Sequence, residues 1–226
     1  MTENPSGAYY ADRLNAERLR RCYELAPARV KRYLDAEIDF VLGHVRSGDR
    51  VLELGCGYGR ALEPMLGRAG VVVGIDNSTD SLAMAAGRGC DWRLVAMDAG
   101  DLGFLDRSFD VAYCVQNGIS AFGVDRAHLI AEATRVTKTG GKALFSSYAQ
   151  GFWPQRLEWF RIQAAHGLLG EIDDEATKDG VIVCKDGFRA ETVGPDELER
   201  LAASTGFPAE IVEVDGSSVF CVISVD

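Results

Sequence analysis

The stretch VLELGCGYGR, residues 51–60, sets a short apolar run directly before glycines at positions 55, 57 and 59. Val51–Leu54 reads as a strand, too short for a helix and bounded by turn residues on both sides. Glycine at alternate positions after it makes a loop whose backbone can take positive φ and approach a ligand closely. In an open α/β sheet the ligand crevice lies beyond the carboxyl ends of the strands, which is where this loop falls.

The chain downstream repeats the strand signal. Short runs at Val71–Ile75, Arg93–Met97, Val111–Val115 and Ala143–Ser147 alternate with helical stretches. That alternation predicts a Rossmann-like, doubly wound α/β fold: a mostly parallel sheet, helices on both faces and right-handed crossovers. Asp125 reads as the N-cap of a helix running to about Val136, and Gly140-Gly141 as the turn into the fifth strand.

Upstream, residues 11–46 carry apolar side chains at three- and four-residue steps from Leu14 to Val45 and read as helix, broken near Pro27. Residues 149–193 interrupt the alternation with a helical stretch, the acidic loop EIDDEATKDG and two strand-like runs around GVIVC and GFRAETV. They read as an insertion after strand five. A helix over Pro195–Ser204 follows, then Glu210–Val214 and Val219–Val225, which face each other across a DGSS turn and should be antiparallel. The expectation is one domain over 1–226, with 1–46 as a helical cap and 149–193 as an insertion beside the carboxyl ends of the strands.

Composition narrows the function classes. The 226 residues are 47% hydrophobic and 26% charged, the profile of a globular chain. A formal charge of −10 argues against binding to phosphate backbones or anionic lipid, so no nucleic-acid or membrane partner is expected. The N-terminus has no basic segment followed by an apolar one, and no apolar run is long enough to span a bilayer. Six cysteines stand singly, with no CxxC pair and no Cys/His cluster, which predicts reduced thiols, a cytoplasmic location and no metal.

The loop spacing discriminates between ligands. Dinucleotide binding prefers GxGxxG, and here Arg60 occupies the third glycine's place. The pattern is instead E-x-G-x-G-x-G from Glu53 to Gly59, which suits a ligand with an amino group and no phosphate, such as S-adenosylmethionine. Asp76 ends the second strand, where it can accept both ribose hydroxyls. Asp98 ends the third, where it can accept from the adenine amino group while the amide of Ala99 donates to the ring. A single strand-end Asp commonly just caps a turn. Acids at three successive strands carry more weight.

With ELGCGYG, VVVGIDNS, LVAMDAGDL, SFDVAYCVQNGIS and KTGGKALFSSY in this order, the chain resembles the class I S-adenosylmethionine-dependent methyltransferases from about Asp49 to Tyr148 and again at the C-terminal helix and strand pair. The resemblance implies a seven-stranded sheet with an antiparallel last strand, and methyl transfer from S-adenosyl-L-methionine to a small-molecule acceptor. It places Gly55, Cys56 and Gly57 along the methionine moiety, Asp76 and Asn77 at the ribose, Asp98 and Ala99 at the adenine, and Gln116 at the donor end. Two other readings remain open: a non-catalytic module binding the cofactor or its demethylated product, and a nicotinamide-dependent oxidoreductase, which Arg60 disfavours.

The acceptor side gives weaker signals. Tyr9 or Tyr10 could close over the methionine end, as N-terminal segments of this family do, and Tyr148, Trp153 and His166 are further candidates. His44 and His128 read as surface or packing residues. Trp153, Leu157, Phe160, Ala164 and Leu168 form a stripe at helical spacing, read as a helix packed on the domain, with an apolar lid as the alternative. No residue is assigned as catalytic base.

Overall fold

The structure is a computed structural model that describes residue 9 and residues 13–226. Its strands are β1 (Arg50–Leu54), β2 (Val71–Asp76), β3 (Arg93–Ala96), β4 (Phe109–Cys114), β5 (Thr137–Tyr148), β6 (Ile182–Val183), β7 (Arg189–Ala190), β8 (Ala209–Val214) and β9 (Ser218–Ser224). Seven of them form one sheet in the order β3-β2-β1-β4-β5-β9-β8, while β6 and β7 pair separately. Pairing is parallel from β3 to β5 and antiparallel across β5–β9 and β9–β8. The chain runs outward from β1 through β2 to β3, then returns to β4 on the other side of β1. The strand order therefore reverses between β1 and β4, which opens a crevice above their carboxyl ends.

The helices are α1 (Ala16–Glu24), α2 (Ala28–Leu42), α3 (Thr79–Ala86), α4 (Arg126–Val136), α5 (Trp153–Ala165) and α6 (Pro195–Ala203). Pro27 separates the first two as the N-cap of α2. Asp125 caps α4 by accepting from His128 N at 2.9 Å. Leu129, Ile130 and Ala133 of α4 and Leu198 and Ala202 of α6 bury one face of the sheet. Ile38 and Val41 of α2 join Leu62, Met65 and Leu82 over the other. A third cluster lies off the sheet, where Cys22 and Tyr33 meet Trp159, Phe160 and Phe188 of the insertion.

Two local features differ from the sequence reading. The crossover from β1 to β2 holds only a 3-10 turn over Glu63–Met65 where the alternation predicts a helix. Pro64 removes a backbone donor there and Gly67, at φ +80°, ends the turn. The Gly140-Gly141 pair lies inside β5 rather than before it. Phe109 pairs with Thr137 but Val111 with Lys142, so residues 138–141 loop out as a bulge. A side chain is excluded at Gly141, where a Cβ would stand 2.6 Å from Asp110 O.

Candidate functional site

The glycine loop is held by backbone before any side chain acts. Gly55 N and Cys56 N both donate to Ile75 O, at 2.9 and 2.8 Å, pinning the turn after β1 to the end of β2. Gly55 and Gly57 have φ of +74° and +52°. A Cβ on Gly55 would lie 2.8 Å from Phe122 Cε1, and one on Gly57 3.2 Å from Leu19 Cδ2. Within β2, Gly74 gives the loop room, because a Cβ there would stand 2.7 Å from Cys56 Sγ.

Asp76 fastens this arrangement. Its Oδ2 accepts from Gly57 N and its Oδ1 from Ser78 N, each at 2.8 Å. Burial raises its pKa, and those backbone donors oppose the rise by favouring the charged form. Each carboxylate oxygen keeps a lone pair for a ligand hydroxyl.

Glu53, Gly55, Cys56, Gly57, Asp76, Asn77, Gln116 and Tyr148 line a single cavity over the ends of β1, β2, β4 and β5. Asp98 and Ala99 stand outside it. Asp98 is exposed and its Oδ1 accepts from Gly100 N at 2.7 Å, while Ala99 is buried in the core. Trp153 is half-buried and lies outside the cavity walls, its ring 5.7 Å from the guanidinium of Arg156. His166 is exposed at the end of α5, with Nδ1 2.8 Å from Ile162 O, and does not reach the cavity. Tyr10 lies outside the described residues, whereas Tyr9 is buried and donates to Asp186 Oδ2 at 2.6 Å.

The structure adds residues that local sequence did not single out. Glu37 of α2 is fully buried, and its Oε2 accepts from Gln116 N at 2.9 Å. Burial pushes its carboxyl up to about 7 and that of Glu53 up to about 8. Tyr113 OH stands 3.3 Å from Glu53 Oε2. The signal for Glu37 was present: it shares a helix face with Val30, Tyr33, Leu34 and Val41, so an acid interrupts an apolar stripe.

The turn after β4 places two non-glycine residues, Gln116 and Asn117, in the left-handed region at φ 58° and 60°. Such conformations cost about 1–3 kcal/mol each and persist only where the surroundings fix them. Asn117 is fixed on three sides: its Nδ2 donates to Ser120 Oγ at 2.6 Å and Glu191 O at 2.8 Å, and its Oδ1 accepts from Ser147 Oγ at 2.7 Å. The turn presents Gln116 to the cavity, where its Nε2 donates to Tyr23 OH and its Oε1 accepts from Arg60. Arg60 lies over the same Tyr23 ring, 5.0 Å from its centroid.

Above the crevice, α1 bridges the two sides. Ala16 N donates to Ser81 Oγ of α3 at 2.9 Å, Trp159 Nε1 of α5 donates to Cys22 O at 2.9 Å, and Arg18 Nη2 donates to Gly167 O at 2.8 Å. Leu14, Leu19, Cys22 and Tyr23 thereby roof the cavity. The buried face of α5 is Arg156, Trp159, Phe160 and Gln163, displaced by one position from most of the apolar stripe.

Comparison with known proteins agrees with this geometry. Residues 51–141 match the family model described as a methyltransferase domain. The chain is 31% identical over 113 residues to a demethylmenaquinone methyltransferase of Tropheryma whipplei (strain Twist), covering 46% of this chain and 44% of the relative. It is also 31% identical over 134 residues to a ubiquinone biosynthesis O-methyltransferase of Thiobacillus denitrificans, covering 55% and 52% respectively. The chain thus spans about half the length of the curated relatives it matches. The fold extends further: magnesium protoporphyrin IX methyltransferase of Synechocystis PCC 6803 superposes with TM-score 0.63 over 97% of this chain and 98% of its own, at 13% identity. Residues 51–141 thus match a methyltransferase domain, and the sheet around them has the fold of that methyltransferase structure.

Proposed function

We propose that the protein transfers a methyl group from S-adenosylmethionine to a small-molecule acceptor. The observation that carries the reading is the lock between Asp76 and Gly57, which sets a carboxylate and a side-chain-free loop on one wall of a cavity at the strand-order reversal. Gly55, Cys56 and Gly57 would hold the methionine moiety, and Asp76 and Asn77 the ribose. Asp98 and Ala99 would meet the adenine, at the end of β3 next to β2. The ligand's chemistry suits this set of groups: the Asp76 carboxylate can accept from ribose hydroxyls, and the GxGxxG spacing that favours a dinucleotide is absent. When bound, S-adenosylmethionine supplies an electrophilic methyl on a sulfonium.

The chain's own contribution is position and exclusion of water. The α1 roof and the aromatic wall of α5 enclose the reacting end, and enclosure of this kind lowers a barrier by holding reactants in line and removing solvent. A small acceptor is supported by the closed roof, and by relatives whose names are those of small-molecule methyltransferases. The negative charge of −10 supports a partner other than nucleic acid or an anionic membrane, and among the described residues no helix is long and apolar enough to cross a bilayer. Six free cysteines, five of them buried, support a reducing compartment such as the cytoplasm.

Calorimetric titration tests the reading. Saturable binding of S-adenosylmethionine and S-adenosylhomocysteine, with no binding of NADH, is expected. Formation of S-adenosylhomocysteine across a panel of small acceptors then separates an enzyme from a binding module. Binding of NADH in place of the sulfonium would overturn the proposal.

A further inference from the structure

The insertion helix turns an unexpected face inward. Residues 156, 159, 160 and 163 fall at helical spacing, and two of the four are polar: Arg156 is fully buried and Gln163 is 2% exposed. The side-chain amide of Gln163 lines the cavity and makes no hydrogen bond to any described residue. An amide that faces a cavity with no partner in the protein leaves its donors and acceptor to whatever fills the space, so this one can hydrogen-bond a ligand held there.

The walls around it set the shape of that ligand. Trp159, Phe160 and Tyr148 line the cavity on the β5 side, and Tyr23 closes it from α1. The rings are mutually packed: Trp159 to Phe160 at 5.8 Å and Tyr23 to Trp159 at 5.9 Å between centroids. Several flat apolar side chains and one amide select a planar molecule with a polar substituent at its edge.

Charge decides between a cationic and an uncharged ligand. An aromatic cage can hold an ammonium group, but here guanidinium groups already stand over these rings. Arg156 is 4.3 Å from the Tyr148 centroid and 5.6 Å from that of Phe160, and Arg60 is 5.0 Å from that of Tyr23. Arg60 lines the cavity, and the buried carboxyls it interacts with, Glu37 and Glu53, are held up at about 7 and about 8 by burial, so they offset its charge only in part. An ammonium acceptor would meet that repulsion in a site shielded from solvent.

We propose that the part of the cavity under α5 is the acceptor subsite, and that it takes an uncharged, hydroxylated aromatic ring whose oxygen hydrogen-bonds to the amide of Gln163. This rests on the methyl-transfer reading and makes it specific. The subsite lies at the β5 end of the crevice, whereas Asp76 and the glycine loop lie at the β2 and β1 end. Gln163 is therefore a specificity-determining residue with no part in holding the cofactor.

The test uses the full chain saturated with S-adenosylhomocysteine and two naphthyl probes that differ by one methylene and a charge, 2-naphthol and 2-naphthylmethylammonium, titrated by calorimetry. The naphthol should bind about tenfold more tightly than the ammonium probe, the ratio expected when one net hydrogen bond is gained and a charge is disfavoured. In Gln163→Leu the naphthol affinity should fall about tenfold while S-adenosylhomocysteine affinity stays within about twofold. Equal or tighter binding of the ammonium probe to the unaltered protein overturns the proposal without any variant, as does undiminished naphthol binding by a folded Gln163→Leu protein. Failure to bind S-adenosylhomocysteine refutes the methyl-transfer reading, and this one with it; cofactor binding without discrimination between the probes refutes this one alone.

Discussion

Replacing Asp76 with Asn tests the hinge of the cofactor site with minimal change of shape. In the native protein both carboxylate oxygens accept a backbone N–H, from Gly57 and Ser78, each at 2.8 Å. An Asn side chain offers one oxygen and one NH₂, so whichever way it turns, one backbone N–H faces another donor. Gly57 is buried, so its N–H would have little water to turn to. A hydrogen bond to a charged group contributes about 1.5–3 kcal/mol, and the ligand's hydroxyls lose an anionic acceptor at the same time.

The expected result is a loss of about 1.5–3 kcal/mol in S-adenosylmethionine binding, a factor of roughly ten to one hundred and fifty in Kd. The melting temperature of the ligand-free protein should also fall, by about 3–12 °C, at the ~2–4 °C per kcal/mol typical of a chain this long. The two readouts separate the roles of the residue. A lower melting temperature with unchanged cofactor affinity would mean that Asp76 only fastens the loop. Unchanged affinity and unchanged stability together would refute the reasoning.

The two ends of the crevice differ in how legible they were, and the reason is locality. Glu53, Gly55, Gly57 and Asp76 lie on strands or within a few residues of their ends, so the pattern that marks β1 and β2 also marks their position. The sheet order likewise follows from short parallel runs joined by crossovers, and the C-terminal pair from its tight turn. The acceptor end draws Tyr23 from α1, Tyr148 from β5 and Gln163 from α5, segments whose meeting is decided by tertiary packing. Hydropathy misleads on α5 in particular. Its apolar stripe runs through Trp153 and Leu157, yet the helix buries Arg156 and Gln163, with Gly180 O and Thr192 Oγ1 accepting from Arg156 Nη1. The left-handed Asn117 was equally hidden, since its conformation is imposed by Ser120, Ser147 and Glu191 from elsewhere in the chain.

Further substitutions probe the remaining links, starting with Gly57→Val, which places a β-branched side chain at φ +52° beside Leu19. Cofactor binding should be lost in a domain that circular dichroism still reports as folded; affinity equal to the unaltered protein's would move the site elsewhere. Trp159→Ala removes a ring that is 5% exposed together with its bond to Cys22 O. It should cost about 3–5 kcal/mol in denaturant unfolding, and a loss under 1 kcal/mol would show that α1 is not clasped to α5. Glu37 gives the pH dependence. Its carboxyl is held up at about 7 by burial, against an ordinary 4.5. The folded protein therefore binds more protons than the unfolded chain between those values. Its stabilising contribution is fully present below pH 4.5 and is lost as pH rises through about 7. Over that window the loss is on the order of 3 kcal/mol, at about 1.4 kcal/mol per pH unit. His44 works the other way, because burial lowers its pKa and favours folding as pH rises towards its ordinary value. The difference between the unaltered protein and Glu37→Gln isolates the carboxyl. Urea unfolding at pH 5 and pH 8 should show the native chain losing more stability across the interval than the variant, which keeps an acceptor for Gln116 N and has no proton to lose. Equal losses in both proteins would mean that Glu37 ionises as an ordinary carboxylate and is solvated in a way its burial on α2 denies.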